Sequence, residues 1–174
     1  MMIKFTRFNI YLCLAAGLVL LGLACQSSGK KKKKIMTALE LHLEVNKDGA
    51  ADNETISIFR DNPIYINVDK EFFLDSADII ESTVVEDAGG FRIRLKFNDR
   101  GSMILTGVTQ ANLGRRIGIF CSFGQARWLA APMIRKQIAD GVLTFTPDTT
   151  RAEADLIVKG LNDAAAELAK KEKL

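Results

Sequence analysis

Histidine, paired cysteine and long apolar runs are all scarce in this chain, and each scarcity removes a class of function. His42 is the only histidine in the 174 residues. A serine or cysteine nucleophile would have to find its base there, and a metal site would rest on carboxylates with at most one imidazole. No Gly-x-Ser-x-Gly elbow, phosphate-cradling Walker loop or dinucleotide fingerprint occurs. The best remaining metal candidate is Glu40, His42 and Glu44, spaced by two on one face of a strand, where neighbours lie about 6.5–7 Å apart. An exposed polar strand face explains that pattern equally well without an ion. The reading is therefore a protein that is not an enzyme and has no cofactor or metal, with a small metal-dependent hydrolase as the remote alternative.

Disulfides are excluded by position. Of the 3 cysteines, Cys13 falls in the N-terminal leader and Cys25 directly after it would carry lipid, which leaves Cys121 alone within Ile117-Gly118-Ile119-Phe120-Cys121. A lone thiol in such a run reads as an inert core residue. The longest apolar stretch, Ile10 to Leu23, has 14 residues and follows Lys4 and Arg7. A membrane span needs roughly 20, so the run reads as a secretory signal, with ordinary cleavage after Ala24 or an uncleaved anchor as the alternatives to lipidation. It ends in Leu21-Gly22-Leu23-Ala24-Cys25, which resembles the lipobox of bacterial lipoproteins, although Gly22 stands where that box usually has an aliphatic residue. The resemblance implies that residues 1–24 are removed, that Cys25 is lipidated, and that Gln26 in place of Asp favours the outer membrane. The expected location is the periplasmic side of a bacterial cell envelope.

Residues 25–36 read as a tether. Gln26-Ser27-Ser28-Gly29 is flexible, and Lys30, Lys31, Lys32, Lys33 and Lys34 repel one another while attracting anionic headgroups, or simply act as a solubilising spacer. These lysines also explain the basic overall charge. Without them and the leader cations Lys4 and Arg7, 17 Lys and Arg face 21 Asp and Glu. A mildly acidic body lacks the clustered positive charge of a nucleic-acid binder.

What is present from residue 37 to 170 is one domain of alternating strand and helix signals. Leu39, Leu41, Leu43 and Val45 interleave with Glu40, His42 and Glu44, which predicts a strand with His42 on its wet face. Asp48-Gly49 marks a loop. Ile56 and Ile58 alternate on one side of Asp61-Asn62-Pro63, and Ile64, Ile66 and Val68 on the other, predicting a hairpin. Asp75-Ser76 begins a short helical segment to Ile80. Ser82–Glu86 and Phe91–Phe97 predict strands joined by Ala88-Gly89-Gly90. Asn98 or Asp99 caps a helix to about Leu113, ended by Gly114. Arg115–Ser122, Gln125–Ala131 and Val142–Thr146 are further strands. Thr150 and Glu153 form a capping box for a last helix, whose apolar stripe is Ala154, Ile157, Leu161, Ala165 and Leu168. The expected class is α+β: a mostly antiparallel sheet with two main helices packed on one face.

The order of these signals from Leu74 to Leu161 resembles the periplasmic head subdomain of SecD, a membrane subunit that assists protein export. Leu74-Asp75-Ser76-Ala77-Asp78-Ile79 is similar to its step before a strand. Phe91-Arg92-Ile93-Arg94-Leu95-Lys96-Phe97-Asn98-Asp99-Arg100-Gly101 is similar to its strand-into-helix segment. Thr109, Asn112 and Gly114 match its helix end, Leu129-Ala130-Ala131-Pro132-Met133-Ile134 its proline segment, and Thr146 to Leu161 its final helix. The family's Asp-Gly turn is replaced here by Cys121-Ser122-Phe123-Gly124. SecD also has six membrane helices and a second periplasmic base domain, and this sequence shows neither. Taken with the lipobox, the resemblance therefore implies a lipid-anchored head without proton-driven movement. It would bind unfolded secreted polypeptide or dock on an envelope membrane protein, as an accessory to export, or serve as a structural lipoprotein with no client. Trp128, Phe123 and Phe145 are the expected partner-binding residues, aromatic groups near the Pro132 turn, with Trp128 either a core residue or the floor of a shallow groove.

Overall fold

The computed structural model describes residues 37–47, 52–59 and 61–171. The signal, Cys25, the lysine tether and the Asp48-Gly49 loop lie outside the described residues. Eight strands fall among them: β1 (Ala38–Glu44), β2 (Asn53–Ile58), β3 (Ile64–Asp75), β4 (Ile79–Asp87), β5 (Gly90–Phe97), β6 (Ile117–Ser122), β7 (Ala126–Ala130) and β8 (Val142–Phe145). Two α-helices join them, α1 (Asp99–Ala111) and α2 (Arg151–Lys171). All pairings between strands are antiparallel. They divide into a five-stranded sheet, β2-β3-β1-β6-β7, and a three-stranded one, β4-β5-β8.

The division follows from the chain between β3 and β4. Asp75 caps a single 3-10 turn, Ser76–Asp78, its carboxylate accepting from Ala77 N at 2.9 Å. This turn carries the chain out of the first sheet, and β4 and β5 then form a hairpin. Its turn residues Gly89 and Gly90 have φ of 122° and 155°, a region closed to residues with a Cβ. Leu39, Leu41, Ile93, Leu95, Ile117, Ile119, Leu143 and Phe145 from both sheets meet in one core, sealed by Leu105 of α1 and by Ala154, Ile157 and Leu161 of α2. The capping box is made as the spacing predicts: Thr150 N donates to Glu153 Oε2 at 2.9 Å and Glu153 N to Thr150 Oγ1 at 3.2 Å.

His42 is the principal departure from the expected faces. The alternation of β1 places it on a wet face, yet it is 6% exposed. The β2–β3 hairpin closes over that side of the sheet, where Ile56, Ile58, Ile66 and Val68 form a second apolar cluster with Ala131 and Trp128. Irregular register between β1 and β3 on either side of His42 gives β3 the bend it needs. His42 Nδ1 donates to Asp69 O at 2.9 Å, and its ring stands edge-on to Trp128 at 5.0 Å. Alternation shows which side of a strand is polar; it does not show that another hairpin covers it.

Candidate functional site

β8 is an edge strand of the three-stranded sheet, and its main chain is open. Phe97 N donates to Gly141 O at 3.0 Å, and the register continues Lys96 with Val142, Leu95 with Leu143, Arg94 with Thr144 and Ile93 with Phe145. In an antiparallel ladder hydrogen-bonded and non-bonded pairs alternate. Leu143 and Phe145 therefore bond β5, and Val142 and Thr144 direct their main-chain groups outward. Val142 N is taken by Asp140 Oδ1 at 3.1 Å. Among the described residues, the N–H and C=O of Thr144 have no partner.

The opposite edge of the same sheet is closed. Ser82 of β4 lies opposite Leu95, so its main chain also points outward. Asn162 of α2 meets both groups: Ser82 N donates to its Oδ1 at 2.8 Å and its Nδ2 donates to Ser82 O at 2.9 Å. A side-chain amide thus stands where a neighbouring strand would.

A groove of about 670 Å³ runs beside β8, walled by the irregular segment from Pro132 to Asp140. A smaller hollow of about 290 Å³, containing Phe59 and Thr146, shares Arg92, Pro132 and Thr144 with it. The wall is fixed although it has no regular structure. Ile134 N donates to Arg115 O at 2.8 Å and Gly114 N to Ile134 O at 2.9 Å. Thr109 Oγ1 of α1 accepts from Ile138 N at 2.9 Å, and Thr106 Oγ1 donates to Ile138 O at 3.0 Å. Ile117, Ile134 and Leu143 supply apolar lining; Arg92, Arg135 and Lys136 supply charge.

The three aromatic residues expected to contact a partner do not form one surface. Phe123 and Phe145 are 6% and 2% exposed and belong to the main core. Phe123 lies beneath the Arg127 guanidinium at 5.6 Å, while Phe145 underlies the smaller hollow. Trp128 is half-buried, edge-on to Phe120 at 5.2 Å and packed on the second cluster. Of the three only Phe145 lies on β8, and what that edge presents is main-chain atoms, which composition does not reveal. Alternation of Val142 and Thr144 with buried Leu143 and Phe145 was the available signal.

Glu40 and His42 approach each other, but Glu44 does not join them. Glu44 Oε2 accepts from Arg116 N at 2.7 Å, and Glu40 Oε2 lies 3.5 Å from His42 Nε2. Among the described residues no group of three or more His, Cys, Asp or Glu is arranged to hold a metal. Cys121 is fully buried, and burial pushes its thiol up from 9.0 to about 12, the nearby Arg127 charge opposing this in part. At pH 8 Cys121 of the native protein should therefore resist thiol reagents, reacting only as fast as the domain unfolds. The unfolded thiol loses its proton first on raising the pH, so this group's stabilising contribution is full below pH 9.0 and declines toward pH 12. Urea titrations between pH 8 and 10.5 should show a steeper alkaline loss for wild type than for Cys121→Ala; equal slopes would contradict it.

The sequence pattern of the family described as SecDF, P1 head subdomain, matches residues 52–166. Among solved structures the fold is similar to that of a membrane component SecDF that enhances protein export, with a TM-score of 0.54 at 20% identity over 74% of this chain. It is similar also to SecDF in its super-membrane-facing form, with a TM-score of 0.55 at 21% identity over 74% of this chain. The chain spans 63% of the first of these proteins and 19% of the second. At such identities the likeness is one of fold. No curated protein sequence matches the chain.

Proposed function

The chain belongs to the SecDF P1 head subdomain family, and from that premise we propose that it serves protein export in the cell envelope by receiving extended polypeptide along the open edge of β8. The observation that carries this reading is the outward-facing main chain of Thr144 beside a groove of about 670 Å³. A strand added there gains main-chain hydrogen bonds whatever its side chains, which suits a module that meets many exported chains. In this reading Cys25 carries the lipid, residues 25–36 are the tether, and residues 37–170 are a head without catalytic chemistry. Lys30 to Lys34 would hold the tether near anionic headgroups, at about 1 kcal/mol each. Of the three aromatic residues Phe145 then acts from below, holding β8 in register from the core side.

Thr144→Pro tests the reading. The N–H it removes is not used by the ladder to β5, and proline is tolerated on the outer side of an edge strand. A reduced, alkylated secreted protein should bind the wild type and bind Thr144→Pro at least about tenfold more weakly, a loss of about 1.4 kcal/mol. Unfolding midpoints should stay close. Equal binding by the two proteins would exclude β8 as the receiving edge. In wild type alone, client should slow hydrogen exchange at the Thr144 amide; unchanged exchange with client bound would exclude it independently.

A further inference from the structure

The body of the protein is acidic, yet the surface around β8 is basic. β5 alternates buried Ile93, Leu95 and Phe97 with exposed Arg92, Arg94 and Lys96. Arg94 lies opposite Thr144 and Lys96 opposite Val142, so this row stands one strand in from the open edge. Arg92 is paired with Asp87 at 3.0 Å, whereas among the described residues no ion pair engages Arg94 or Lys96. The acids nearby are Glu81, in cross-strand register with Lys96, and Asp140, which accepts from Val142 N. Arg135 and Lys136 extend the positive charge along the wall. The apolar lining of the groove is the exposed Met133, with Ile117, Ile134 and Leu143 buried beneath it.

We infer that the strand received by β8 alternates acidic and aliphatic side chains. This inference rests on the strand-addition reading and adds the class of segment selected. Side chains of an added strand point by turns to the two faces of the sheet. Those on the face of Thr144 meet the Arg94 and Lys96 row, which lies about 9.6 Å away, two strand spacings, within the combined reach of a guanidinium and a glutamate. Those on the other face enter the groove, where Met133 is exposed over the core residues Ile134 and Leu143. A lysine on the charged face would be repelled, and a polar residue on the apolar face would lose its hydration without a partner.

Fluorescence anisotropy with labelled octapeptides decides the matter. Peptides alternating leucine with glutamate, glutamine or lysine are titrated with the wild type, Arg94→Gln/Lys96→Gln and Thr144→Pro proteins. The glutamate peptide should bind about tenfold more tightly than the lysine peptide, with glutamine between. High salt should shrink the difference, because these charges are solvent-exposed. In Arg94→Gln/Lys96→Gln the preference should fall to about twofold or less, and Thr144→Pro should weaken all three peptides. Equal affinities for the three peptides, still lost in Thr144→Pro, would overturn the charge selection and leave strand addition standing. Affinities insensitive to Thr144→Pro would overturn both. The wild-type peptide series and its salt dependence decide the charge question even if the double variant folds poorly.

Discussion

Asn162→Ala should lower the stability of the domain by about 2–3 kcal/mol and open a second sheet edge. The Asn162 amide satisfies both outward main-chain groups of Ser82, a residue 1% exposed. A buried donor or acceptor stripped of its partner costs about 1–3 kcal/mol, and two are stripped here. Alanine returns roughly 0.6 kcal/mol through its better helix propensity, and water entering the vacated space lowers the loss further. For a domain of this size the melting temperature should fall by about 4–10 °C. Asn162→Asp should lie between, since it keeps an acceptor for Ser82 N but sets an oxygen against Ser82 O. The Ser82 amide should exchange much faster in the alanine variant, and association should rise with concentration as β4 becomes a free template. A change below about 0.5 kcal/mol, with Ser82 still protected, would mean that the amide is not what closes the edge.

Gly101→Ala should destabilise the protein, while the same substitution at Gly107 in the same helix should stabilise it. At Gly101 a Cβ would stand 2.9 Å from Asp78 Cβ and 3.0 Å from Phe97 Cβ. Both neighbours are fixed to main chain, so no rotamer change relieves the contact; the start of α1 must move. That start is tightly held. Asn98 Oδ1 accepts from Gly101 N at 2.7 Å, Asn98 N donates to Asp78 O at 2.8 Å, and Arg100 Nη1 donates to both carboxylate oxygens of Asp78 at 2.9 and 2.8 Å. Overpacking costs about 1–3 kcal/mol, more than the up to about 1 kcal/mol that alanine gains over glycine in a helix. Gly107 is exposed with nothing within 4 Å of its would-be Cβ, so there only the gain remains, about 0.5–1 kcal/mol. Urea midpoints of the two variants should move in opposite directions. Movement in the same direction would show that α1 can shift freely, and with it the Thr106 and Thr109 contacts that hold the wall of the groove.

Local features were determined by the sequence alone because each needs only neighbouring residues. The β2–β3 and β4–β5 hairpins, the Asn98 cap, the Thr150 and Glu153 box and the first part of the apolar stripe, Ala154, Ile157 and Leu161, all appear where period and capping chemistry put them. Leu168 at the stripe's far end is exposed, because the helix there runs past the core. The order of those elements was enough to point to the head family. The tertiary structure decided what depends on residues far apart in the chain. It divided the strands into two sheets, buried His42 beneath a hairpin and turned Phe123 and Phe145 into the core. It also left β8 open while closing β4 through a contact 80 residues away in sequence. A strand's pattern of side chains fixes which face it buries, because that face is chemically marked. Whether its main-chain groups find a neighbour is marked by no side chain of its own, and is settled only when distant segments take their places beside it.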